Sequence, residues 1–73
     1  MAQKVIFVHE KKFLFRSDAT VSQTKAAIRS GFWLQFGFLL NFRGVVLCDE
    51  NELIGSIAGD IYFVGGKSVL GGD

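Results

Sequence analysis

The sequence predicts an α+β roll: two strands as a hairpin, one helix crossing the sheet, then further strands completing it. Three observations carry this. The chain has 73 residues, enough for one small core and no second domain. Short β-branched and aromatic runs stand near both ends. Between them lies a single stretch with a helix-start signal.

The first run is Val5-Ile6-Phe7-Val8 and the second Phe13-Leu14-Phe15, both of strand-forming composition. With Glu10-Lys11 as a two-residue turn, Val8 faces Phe13, and Ile6, Val8, Phe13 and Phe15 share one face. Ser17 to Thr20 breaks the apolar pattern. Thr20 precedes Gln23 by three residues, the spacing of a capping box. Val21, Thr24 and Ile28 form the stripe of a short helix that stops at Ser30-Gly31. Phe32 to Phe42 follows, with Gly37 dividing a connecting loop from a strand at 38–42. Arg43-Gly44 reads as a turn, Val45-Val46-Leu47 as a short returning strand, Asp49 to Glu52 as polar loop, and Leu53 to Ile57 as a helical turn. Ile61-Tyr62-Phe63-Val64 is the last strand, so a domain at 1–65 is followed by a tail at 66–73. The expected inward set is Ile6, Val8, Phe13, Phe15, Ile28, Leu40, Phe42, Leu47, Leu53, Ile61 and Phe63.

Composition narrows the functional classes. Hydrophobic residues make up 49% and the net charge is +1, which excludes a disordered chain. Eight Lys and Arg against seven Asp and Glu provide no basic face for nucleic acid. One Cys and one His cannot cage zinc, so no metal or other cofactor is expected. Cys48 beside Asp49 and Glu50 is in the wrong field for a thiolate nucleophile, and His9 at a hairpin tip is expected to be solvated. No enzymatic constellation is present. The longest uncharged run, Ser30 to Phe42, is too short to span a bilayer, and the N-terminus lacks a signal-peptide pattern. A cytoplasmic monomer is expected, without membrane contact.

The order and spacing of these elements, with the ending Leu70-Gly71-Gly72, resemble ubiquitin and the β-grasp family. Ile6-Phe7-Val8 is similar to its first strand, and Thr20 to Ile28 to its helix start, including a helix lysine at Lys25. Leu40-Asn41-Phe42-Arg43-Gly44 with Leu47-Cys48-Asp49 and Leu53 is similar to its third strand, glycine turn and following loop, and Ile61 to Val64 to its last strand. The resemblance implies a β-grasp roll with a mixed sheet of four or five strands on one helix. The tail from Val64 to Gly72 is similar to that of the ubiquitin-like proteins made fused to a small-subunit ribosomal protein. Asp73 would then be the first residue beyond a processing point.

That resemblance implies a modifier or recognition domain at the head of a fusion precursor. Its partners would be a processing protease, an activating enzyme, or the ribosome through the fused protein. Gly71, Gly72 and Asp73 are the processing or conjugation residues, and Lys25 a possible modified lysine. On the family's binding surface Asn41 stands for an isoleucine, Tyr62 for a histidine, and Val64 is kept. Val45 and Ala58 replace chain-forming lysines, which counts against conventional conjugation. The same fold also serves sulfur carriers, whose terminal glycine carboxylate is converted to a thiocarboxylate, and noncovalent interaction modules. From composition, two or three of Phe32, Trp33, Phe36 and Phe38 should stay exposed, because the core has limited room. Trp33 and Phe36 are therefore placed with the binding surface.

Overall fold

A computed structural model of the chain describes residues 2–66. Strand β1 (Gln3–Val8) and strand β2 (Lys11–Arg16) form a hairpin, followed by helix α1 (Val21–Gly31), strand β3 (Phe36–Leu40), a 3-10 turn (Ile54–Ser56) and strand β4 (Ile61–Gly66). The four strands make one sheet in the order β2-β1-β4-β3. The central pair β1 and β4 is parallel, and the two flanking pairs are antiparallel. This is a small α+β fold with a mixed sheet and one helix, an arrangement compatible with a β-grasp. The expected strand at 45–47 is only an isolated bridge, Leu40 with Val46.

The hairpin turn is His9-Glu10, one residue earlier than the expected Glu10-Lys11. Both have positive φ, 52° and 67°, as a type I′ turn requires. Pairing therefore moves by two residues, to Val8 with Lys11 and Ile6 with Phe13. A shift of two preserves which side chains share a face, so Phe13 and Phe15 still pack against the core. His9 is exposed, but its ring lies 5.5 Å from that of Phe32, which meets Phe13 edge-on at 5.5 Å. That contact gives a left-handed residue an anchoring role the sequence did not show.

Helix α1 starts where the capping box places it. Thr20 Oγ1 accepts from Gln23 N at 3.1 Å, and Gln23 Oε1 accepts from Thr20 N at 3.0 Å. Val21, Thr24 and Ile28 are its buried stripe. Thr24 Oγ1 is buried without a hydrogen-bond partner, a cost that valine of the same shape would remove. Thr24→Val is expected to stabilise the fold by about 1 kcal/mol, read as a rise in the urea midpoint without a change in slope.

The third strand departs most from expectation. It runs over 36–40 rather than 38–42, and Leu39, not Leu40, is fully buried. Phe42 lies beyond the strand and is exposed. The cause is Gly37, a strand residue paired with Gly65 across the β3–β4 ladder. The Phe63 ring covers both glycines: a Cβ on Gly37 would sit 2.0 Å from Phe63 Cζ, and one on Gly65 2.7 Å from Phe63 Cε1. Strand β4 likewise continues past the expected end at Val64, through Gly65 to Gly66.

The core is Ile6, Val8, Val21, Ile28, Leu39, Ile54, Ile57, Ile61 and Phe63. Ile54 and Ile57 take the place expected for Leu53, which is exposed. Ile54 N donates to Ala19 O and Gly55 N to Ser17 O, and these bonds fix the turn so that Ile54 points inward. The Lys4 ammonium donates to the Ile57 carbonyl, tying the same segment to β1.

An exposed apolar sheet face

Side chains alternate across a strand, so the face opposite the core carries Val5 and Phe7 of β1, Leu14 of β2, Tyr62 and Val64 of β4, and Phe36, Phe38 and Leu40 of β3. The register turns this set into rows. Lys12, Phe7, Tyr62 and Leu40 lie side by side across all four strands. Val64 pairs with Phe38, Phe36 with Gly66, and Val5 with Leu14. The Phe7 and Tyr62 rings stack at 5.3 Å and 17°. Val64 is 57% exposed, Phe38 50% and Phe36 47%. Where β1 ends and β4 runs on, a shallow groove of about 380 Å³ opens between Phe7, His9, Glu10, Tyr62, Val64 and Gly65. Charge enters at the β2 edge, where Lys12 and Arg16 flank Leu14 on this face, and at the groove through Glu10.

The structure brings Phe36, Tyr62 and Val64 together on this face and leaves Asn41 off it. Asn41 follows β3, and its Oδ1 accepts from Arg43 N at 2.8 Å and Val45 N at 3.0 Å, closing the turn. The third-strand residue beside Tyr62 is Leu40. The amide oxygen of Asn41, which the resemblance set in place of an isoleucine on the binding surface, is thus occupied within the turn, and an aliphatic side chain, Leu40, stands in the row. Trp33 is exposed, as are Phe36 and Phe38, while Phe32 is half-buried. Trp33 lies in the connection from α1 to β3, outside the sheet.

Lys25 is largely enclosed. Its Nζ lies 2.6 Å from Glu50 Oε2, and the side chain is only 13% exposed. The hydrogen bond from Lys25 holds the Glu50 carboxyl below its ordinary range. An amine so engaged is poorly placed as an acceptor for modification. Cys48 is exposed, with Sγ 3.6 Å from the Val46 carbonyl. Among the described residues no group of His, Cys, Asp and Glu could hold a metal ion, and no helix is long and apolar enough to cross a membrane. Gly71, Gly72 and Asp73 lie outside the described residues.

Leu14, Val5, Phe7 and Leu40 are face residues that the sequence reading missed. Val5 to Val8 is apolar at every position: Ile6 and Val8 face the core, while Val5 and Phe7, half-buried between the neighbouring strands, belong to the apolar outer face, so no alternation marks the outer residues. No family model, curated protein or solved structure matches the chain.

Proposed function

We propose that this chain is a ubiquitin-like β-grasp domain that acts by being bound, docking protein partners on the outer face of its sheet and performing no catalysis itself. The observation that carries the reading is the contiguous apolar face across all four strands. Small soluble folds seldom leave such a surface uncovered unless a partner meets it. The partner is a protein, because the near-neutral charge offers no phosphate-binding groove. The terminal Leu70-Gly71-Gly72-Asp73 supports, by resemblance, a precursor released after Gly72.

Val64→Asp tests the docking surface. A carboxylate set among Tyr62, Phe38 and Phe7 would be desolvated by any partner, a loss of affinity of at least about 100-fold. Val64 is exposed in the free domain, so folding should survive. The expected result is that tagged Val64→Asp protein, expressed in its native cells, loses partners that wild type retains, with an unchanged circular dichroism spectrum. An identical set of partners would overturn the reading. Intact mass measurement of the same material would show whether a species ends at Gly72.

A further inference from the structure

We propose that the occupant of the outer sheet face is a second copy of this chain, packed face to face about a two-fold axis, with Phe38 of each copy seated in the groove of the other. The inference rests on the sheet-face reading and names the partner.

Size is the first argument. Leu40 and Val46 stand opposite each other across their bridge, so Val46 extends the central row past β3. The rings of Phe36, Phe38 and Tyr62 are about half exposed, and Leu14, Val46 and Val64 are similarly open. With the half-buried Val5, Phe7 and Leu40, these side chains present roughly 700 Å² of apolar surface, taking about 150–250 Å² for a whole aromatic side chain. The largest apolar patch on a monomer is about 300–600 Å², whereas one side of a standard interface is about 800 Å². Composition points the same way. Interfaces between transient partners are no more apolar than the rest of a surface, and those of homodimers are. The row Phe7, Tyr62, Leu40 and Val46 carries no charge. The chain's own residues 67–73 offer only Val69 and Leu70 as large apolar side chains, too few to cover such a face.

Shape is the second argument, because the register sets a ridge beside a hollow. Phe36 and Phe38 stand at alternate positions along β3 and form the ridge. The hollow is the groove of about 380 Å³ that opens where β1 ends, between His9 and Val64. Val8 pairs with Phe63 and Val64 with Phe38, so the groove and the Phe38 ring are level along the strands, with β4 between them. A two-fold axis parallel to the strands and passing over β4 therefore carries each Phe38 ring onto the groove of the other copy. Such a contact is isologous and closes on itself. Tyr62 and Val64 then meet their own counterparts beside the axis. The strands of the two sheets stay aligned, as in a sheet sandwich. Lys12 and Glu10, on the β2 side, fall past the edge of the other copy, where an interface is polar and wet.

Sedimentation equilibrium of the 73-residue chain tests this. Interfaces of this size hold at micromolar affinity or tighter, so at about 100 µM the wild type should be dimeric, with twice the 8.0 kDa of one chain. Val64→Asp sets two carboxylates against each other at the axis, and Phe38→Thr leaves the groove empty. Each should raise the dissociation constant at least about 100-fold, with an unchanged circular dichroism spectrum. Lys12→Glu, at the rim, should change it less than about threefold. In a mixture of labelled and unlabelled chains, isotope-filtered NMR should find the Phe38 ring of one copy against His9 of the other. The two lie on opposite sides of β4 within one copy. A chain that stays at the mass of one copy overturns the inference, as does a dimer indifferent to both Val64→Asp and Phe38→Thr. A monomer that dimerises only once Val69→Ser and Leu70→Ser are introduced overturns it as well, and gives the face to residues 67–73. A monomer whose cellular partners are lost on Val64→Asp overturns the inference and leaves the sheet-face reading standing. A monomer whose partners are unchanged removes both.

Discussion

Gly37→Ala should destabilise the domain by about 3 kcal/mol or more, a large share of the stability of a chain this small. The added methyl would lie 2.0 Å from Phe63 Cζ and 2.4 Å from Phe63 Cε2. Phe63 is itself only 6% exposed and belongs to the core cluster, so its ring cannot move aside without displacing its neighbours. The backbone of Gly37 is ordinary strand, which makes the effect one of packing and not of conformation. Gly66 supplies the control: a Cβ there would stand 3.5 Å from Phe36 Cζ, an ordinary contact, and Gly66→Ala should be close to neutral. Urea midpoints of the two variants separate the outcomes. Adding Phe63→Leu to Gly37→Ala should recover part of the loss, since the pair shares one space. A neutral Gly37→Ala would mean that the ring does not cover the glycine pair.

The same glycine explains why the sequence revealed some elements and concealed others. The capping box at Thr20 and Gln23 was legible because its partners lie three residues apart and its bonds are local. The hairpin faces were legible although the turn was displaced by one residue, because the resulting two-residue shift in pairing respects the period of the strand. Strand β3 was not legible. Gly37 looks like a breaker in isolation, and its strand character depends on Gly65 and the Phe63 ring, which are distant in sequence. Reading Leu40 and Phe42 as inward put the strand one residue out of phase, which exchanged the faces of Leu39 and Leu40 and with them the apparent make-up of the exposed surface. The aromatic excess did forecast that two or three of Phe32, Trp33, Phe36 and Phe38 would stay exposed, and Trp33, Phe36 and Phe38 do, but composition did not say which. Composition could not show that Phe36 and Phe38 join Tyr62 and Val64 in one patch, because that follows from the β3–β4 register. Nor could it show the left-handed backbone at Trp33, with φ 59°, since the Ser30-Gly31 stop pointed to a different residue.

Asn41→Ile is the substitution that most sharply separates the residue-by-residue resemblance from the observed geometry. On the resemblance, isoleucine would restore an apolar member of a binding surface. In the structure it would remove the acceptor for Arg43 N and Val45 N. That turn also uses Gly44 N donating to Asn41 O at 2.9 Å and Asn41 N donating to Val45 O at 2.9 Å, with Gly44 at φ 81°. Loss of two side-chain acceptances should cost about 2 kcal/mol, or roughly 8 °C or more in Tm for a domain of this size. Asn41→Asp, which keeps the acceptor oxygen, should retain most of that stability. Leu40→Ser should behave in the opposite way: Leu40 is half-buried in the row beside Tyr62, so partner binding should fall further than stability does. Thermal melts and binding assays on the three variants then distinguish a turn residue from a surface residue. An Asn41→Ile domain that melts like wild type and binds more tightly would return position 41 to the surface and remove Leu40 from it.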